Sequence, residues 1–161
     1  MAIRQLVHHQ LLAASIEEVW SFFSDARNLA TITPEYMNFR VTSGDLPSDI
    51  YPGQIITYKV SPMFGIPMFW MTEITAVKKY RLFVDEQRRG PYRLWHHQHL
   101  FQEVENGVEM TDIVHYELPL GPLGNLANAM FVRKQLQSIF EYRTAVIVRK
   151  FGTSLPVGKG V

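Results

Sequence analysis

The residues best suited to chemistry in this sequence are the histidines of Trp95-His96-His97-Gln98-His99-Leu100-Phe101. Side chains alternate across a β-strand, so His97 and His99 leave one face about two strand rises apart. Imidazole changes charge near neutral pH. The pair therefore suits proton transfer, a hydrogen bond to a polar group of a ligand, or metal ligation, for which His-x-His is a used spacing. Asp112 and Tyr116 fall on the next alternating run. Asp112 can orient an imidazole acting as general base, as in a cyclase or dehydratase reaction, or offer a third, oxygen ligand. Three readings of His97, His99 and Asp112 stay open: acid–base or ligand contact, a metal site, and a purely structural hydrogen-bond network. No metal and no cofactor is assigned. No nucleophile stands out, so acyl transfer is not indicated.

The elements that must position these residues follow from turn chemistry and periodicity. Asn106-Gly107 between two alternating runs is a strong hairpin signal, because a type I′ turn needs positive φ at both positions. With those two residues as the loop, Glu105 faces Val108, Phe101 faces Asp112, His99 faces Val114, His97 faces Tyr116 and Trp95 faces Leu118. One face then carries Trp95, His97, His99 and Phe101 from the first strand, and Met110, Asp112, Val114, Tyr116 and Leu118 from the second. Being mostly apolar, it is the inner face.

Gln5 to Ala13 reads as a first strand. Ser15 with Glu18 forms a capping-box pattern ahead of the apolar Val19, Trp20, Phe22 and Phe23. A short helix around Arg27 to Ile32 ends before Pro34. Phe39–Ser43, Gln54–Val60, Phe69–Val77 and Tyr80–Gln87 read as further strands between Pro/Gly/Ser/Asp turns. In the last of these, the parity that would turn Phe83, Asp85 and Gln87 inward competes with Leu82, Val84 and Glu86, and the pattern does not choose. After Gly121-Pro122 comes the longest helical stretch, Leu123 to Lys150, in which Leu126, Met130, Phe131, Leu136, Ile139, Phe140, Val146 and Ile147 recur at helical spacing. The layout is α+β: six or seven antiparallel strands, two short helices after the first strand, and a long C-terminal helix that hides its stripe against the concave sheet. The apolar run Met63 to Trp70, broken by Gly65 and Pro67, packs over one end of the sheet-and-helix layout or acts as a lid or membrane-touching tip through which a lipid enters.

The whole chain has 161 residues, 47% of them hydrophobic and 19% charged, with a formal net charge of +1. Such composition is globular. A near-neutral charge gives a polyanion no long-range attraction, so nucleic acid is not an expected partner. The chain has no cysteine, which removes disulfides, thiolate catalysis and Cys-ligated metal centres. Neither a secretory h-region nor a spanning segment is evident, so a cytoplasmic location without stable membrane insertion is expected. One domain over residues 3–151 is expected, with 152–161 as a loose tail; homodimerisation is left open.

The element order resembles the START/Bet v 1 (SRPBCC, helix-grip) superfamily over nearly the whole chain. The phrases that carry the likeness are Ala14-Ser15-Ile16-Glu17-Glu18-Val19-Trp20-Ser21-Phe22-Phe23, Leu29-Ala30-Thr31-Ile32-Thr33-Pro34, Phe83-Val84-Asp85-Glu86-Gln87-Arg88-Arg89-Gly90-Pro91-Tyr92, Trp95 to Phe101, and Tyr116-Glu117-Leu118-Pro119-Leu120-Gly121-Pro122-Leu123-Gly124. They are similar to a bacterial branch related to polyketide cyclase/dehydrase-like proteins. The resemblance implies a helix-grip fold with a cavity between curved sheet and terminal helix. That cavity would bind a hydrophobic small molecule: a lipid, a polyketide or an isoprenoid. Expected ligand contacts are Trp95, His97, His99, Phe101, Asp112, Val114 and Tyr116 from the hairpin, Phe69 and Trp70 from the apolar run, and Phe131 from the helix. Alternatives are a cyclase or dehydratase using His97, His99 and Asp112, and a regulatory or stress-related interaction protein with a purely structural core.

Overall fold

A computed structural model describes residues 3–62 and 65–153, with the backbone alone at 125, 128 and 129. The chain begins with β1 (Arg4–Leu12) and turns into α1 (Ile16–Phe23). Ser15 Oγ accepts from the Glu18 N–H at 3.3 Å while a Glu18 carboxylate oxygen accepts from the Ser15 N–H at 3.0 Å. This reciprocal cap satisfies donors that a helix start leaves orphaned. α1 buries Ile16, Val19, Trp20 and Phe22, and the Trp20 ring meets Phe83 and Phe101 edge-on. The helix expected over 27–32 is a 3-10 turn, Ala26–Ala30, and a second follows at Glu35–Met37.

Six further strands complete the sheet: β2 (Arg40–Val41), β3 (Ile55–Val60), β4 (Met68–Lys78), β5 (Leu82–Arg89), β6 (Leu94–Val104) and β7 (Gly107–Glu117). All seven pair antiparallel in the order β1-β7-β6-β5-β4-β3-β2. The register of β4 on β5 slips twice, between Met71 and Thr72 and between Ile74 and Ala76. Such bulges bend a strand and increase its twist, which helps curve the sheet.

The β6–β7 hairpin corrects the expected register. Val104 pairs with Gly107, and the turn is Glu105-Asn106, neither of which has positive φ. His99 therefore faces Asp112, His97 faces Val114, Trp95 faces Tyr116, and Phe101 faces Met110. The cause is Gly107, which belongs to the ladder and not to the turn. Its φ is +147°, and a Cβ there would lie 1.9 Å from the Leu12 carbonyl oxygen. Close approach to the end of β1 fixes this glycine. Because the shift is two residues, parity is kept, and His97, His99, Phe101, Met110, Asp112, Val114 and Tyr116 are buried on the concave face as expected.

The C-terminal stretch is α2 (Gly121–Ala127), a π-helical turn (Asn128–Val132) and α3 (Arg133–Phe151). α3 lays Leu136, Phe140, Arg143 and Ile147 on the sheet. One apolar cluster gathers Leu12, Trp20, Phe101, Met110 and Ile147; a second joins Val114 and Tyr116 to Val132, Leu136 and Phe140. The stripe expected to run on through Leu126, Met130 and Phe131 does not: those residues are exposed. At about 100° per residue, Phe131 stands on the far side of the helix from Phe140. The anticipated tail residues 154–161 and the lid residues Met63 and Phe64 lie outside the described residues. Among the described residues no helix is long and apolar enough to cross a membrane.

Candidate functional site

A polar band crosses the concave face through four adjacent strands. His8 of β1 sits beside Asp112 of β7, Asp112 faces His99 of β6, and His97 of β6 faces Asp85 of β5. Strand alternation alone brings these side chains to one face. His97 Nε2 donates to Asp112 Oδ1 at 2.8 Å, and His99 Nδ1 lies 2.9 Å from the same oxygen, too oblique for a full hydrogen bond. The remaining nitrogens turn toward Asp85: its Oδ2 is 2.8 Å from His99 Nε2 and 3.5 Å from His97 Nδ1. The imidazole centroids are 3.7 Å apart. From α3, Arg143 brings Nη1 to 3.7 Å from Asp112 Oδ1 and rests its guanidinium 5.0 Å from the Phe140 ring centroid. His8 bonds Thr144 at 2.6 Å, closing the band against the helix.

Charge in this setting must balance, since an isolated buried ion is costly. Two carboxylates face one guanidinium, which is always charged in proteins. A single imidazolium makes the group neutral. Burial, the largest influence on His99, opposes its charge, but Asp112 and Asp85 together outweigh it and hold His99 above the ordinary histidine value. His97 goes the other way: burial and then the neighbouring His99 charge push it down, with Asp112 and Asp85 only partly compensating. Burial also works against charge on both carboxylates and is overcome by the imidazoles, leaving Asp85 lowered and Asp112 well below its usual range. His99 is thus the imidazole that holds its proton to higher pH, and His97 the one that gives its proton up first.

The band forms one wall of a cavity of about 170 Å³ between sheet and α3. Asp85, His97, His99 and Arg143 line it on the polar side, and Ile56, Ile74 and Phe83 are among its apolar residues. Tyr58 and Tyr92 also line it, and burial raises both phenols, so they are neutral donors. Trp70 and Trp95 pack at 5.3 Å between centroids on this wall, and the Trp70 indole donates to Thr72 at 3.0 Å.

Of the residues expected at the site, Trp70, Trp95, His97 and His99 line the cavity. Asp112 stands behind the histidines with no exposed surface. Phe101 packs with Trp20 and Phe23, and Val114 and Tyr116 belong to the second apolar cluster, all three outside the cavity wall. Two placements are corrected. Phe69 neighbours Trp70 on β4, so alternation sends it to the outer face, where it is 46% exposed near Arg89. Phe131 is 54% exposed for the helical reason given above. The open parity of β5 resolves with Phe83 and Asp85 inward, while the Gln87 side-chain amide donates to the Tyr92 carbonyl and accepts from the Tyr92 N–H, shaping the β5–β6 loop. Arg143 and His8 were not foreseen. Arg143 was legible as the one charge on the stripe Leu136, Phe140, Ile147; His8 acquires meaning only from pairing with a strand about a hundred residues away.

No family model and no curated protein sequence matches the chain. Solved structures do match it. Protein CV1439 from Chromobacterium violaceum is 14% identical, with 94% of this chain and 99% of that one covered and a TM-score of 0.70. Protein Ms6760 from Mycobacterium smegmatis is 19% identical, covering 93% and 98%, at 0.64. Ara h 8.0201 is 10% identical, covering 92% and 99%, at 0.59. Likeness at these identities is one of fold: the chain has a Bet v 1-like, helix-grip architecture.

Proposed function

We propose that this protein binds a small hydrophobic molecule carrying one polar group, held between sheet and α3. The observation that supports the reading is the apolar cavity with its charged groups confined to one wall. An apolar guest gains about 25 cal/mol per Å² of surface removed from water, and the polar wall orients it. The volume of about 170 Å³ suits a guest of one or two rings, since an engineered cavity of about 150 Å³ takes benzene. Long acyl chains are poorer candidates.

Native mass spectrometry of the purified chain and thermal shift with one-ring, two-ring and long-chain probes test this. At about a hundred times Kd a bound guest adds about 2.7 kcal/mol, raising Tm by roughly 5–10 °C. The two-ring probe is expected to do so for the natural chain and not for Leu29→Trp, which fills the cavity from its half-buried rim. No shift with any probe, or equal binding by the filled variant, overturns the reading.

A second reading is favoured by the opposed protonation of His97 and His99, since two neighbouring groups pushed apart mark an acid and a base. His97 takes a proton from a carbon beside a carbonyl as His99 gives one to the carbonyl oxygen, and the proton count of the pair is unchanged. Deuterium exchange beside the carbonyl of a small cyclic ketone should then show a bell-shaped pH profile, abolished by His97→Gln with folding intact. Exchange no faster than in buffer on a broad ketone panel counts against it.

A further inference from the structure

We infer that Asp85, His97 and His99 form a binding site for one divalent first-row transition ion, of the zinc or iron(II) kind, with its open side toward the cavity. Their donor atoms lie within 4.8 Å of one another, and the two contacts to Asp85 Oδ2 are 2.8 Å and 3.5 Å. Bonds of about 2.0–2.1 Å in a tetrahedral shell place ligand atoms about 3.3–3.4 Å apart. The 3.5 Å contact of Asp85 to His97 is near that spacing, the 2.8 Å contact to His99 opens to reach it, and the two imidazole nitrogens turn toward the ion. The set, two imidazoles and a carboxylate, is the kind that selects transition ions over magnesium or calcium.

Asp112 supplies the independent observation. A histidine that binds a metal through one nitrogen usually gives its other N–H to a carboxylate, which fixes the ring and the tautomer. Here one fully buried carboxylate stands behind both rings: Asp112 Oδ1 accepts from His97 Nε2 at 2.8 Å and lies 2.9 Å from His99 Nδ1, whose ring must tilt to complete the bond. The nitrogens left over, His97 Nδ1 and His99 Nε2, are the ones that converge on Asp85. All three ligands sit on the paired strands β5 and β6, a rigid base. All three also line the cavity, so a fourth position is open to water or to an oxygen atom of a guest, as in sites that do chemistry. Ion and imidazolium proton are alternative occupants of this space. With two carboxylates, one guanidinium and neutral imidazoles, a divalent ion leaves one positive charge, which suits an anionic fourth ligand such as hydroxide or a carboxylate.

The full chain, stripped with a chelator, is titrated with zinc by calorimetry and with cobalt(II) by visible spectroscopy. A single equivalent with micromolar or tighter Kd is expected, with cobalt bands of a nitrogen–oxygen site. Asp85→Asn and His97→Gln each weaken binding at least about a hundredfold, and Asp112→Asn about ten- to a hundredfold, circular dichroism showing each variant folded. The outward-facing pair His96 and His115, centroids 6.2 Å apart, is the competing explanation. His115→Ala should leave the affinity unchanged. No stoichiometric binding by the folded natural chain overturns the site, as does a loss with His115→Ala that Asp85→Asn does not share. No apolar guest enters the titration, so its failure would leave the binding reading standing, and the converse also holds.

Discussion

Asp112 and His99 each lose nearly all contact with solvent, so their protonation is tied to folding. His99 has a folded value above 6.5. Its contribution is complete below pH 6.5 and disappears as pH rises through that folded value. His97 has a folded value below 6.5; the unfolded chain binds the proton better, so stability falls as pH drops below 6.5. Asp85 and Asp112, held below 3.8, add stability that is lost only as pH falls through their folded values. Urea midpoints should therefore peak at about pH 6.5 and decline on both sides, and His99→Gln should flatten the alkaline limb. A midpoint rising steadily to about pH 8 would show His99 neutral in the folded chain. At this scale the sequence displayed the histidines and Asp112 but not their protonation, because that depends on burial and on Asp85 arriving from another strand.

Among the elements, the β6–β7 hairpin shows how local and long-range demands compete. Asn-Gly favours a type I′ turn locally, yet Gly107 is needed where the chain passes the end of β1. Gly107→Ala should cost at least about 2 kcal/mol in urea denaturation, from positive φ and from collision with the Leu12 carbonyl. A loss under about 0.5 kcal/mol would mean β1 can move aside. Capping and alternation made α1 and most strands legible, since those signals are local. The position of the turn was not, because β1, a hundred residues earlier in the chain, decides it. The terminal helix divides in the same way. The residues of α3 that meet the sheet follow a regular stripe, whereas Leu123, Leu126 and Met130 have apolar character without a burial partner among the described residues.

For the molecule as a whole, element order alone predicted a sheet wrapped about a terminal helix, and the seven-stranded order bears that out. Cavity size was beyond the sequence, because volume is set by how far the sheet bends and where α3 rests. Two apolar clusters hold α3 near its two ends, Ile147 in one and Leu136 with Phe140 in the other. The charged Arg143 lies between them. The helix thus bridges the hollow instead of filling it.

The bend itself is written into the backbone of β4, where the ladder slips twice. Curvature made by hydrogen-bond register does not depend on which side chains face inward. Trp70 lines the cavity but lies outside both slips, so it is the β4 position where the interior can be exchanged with the ladder left as it is. A lineage could then re-tailor the interior for a different guest while inheriting the same roof.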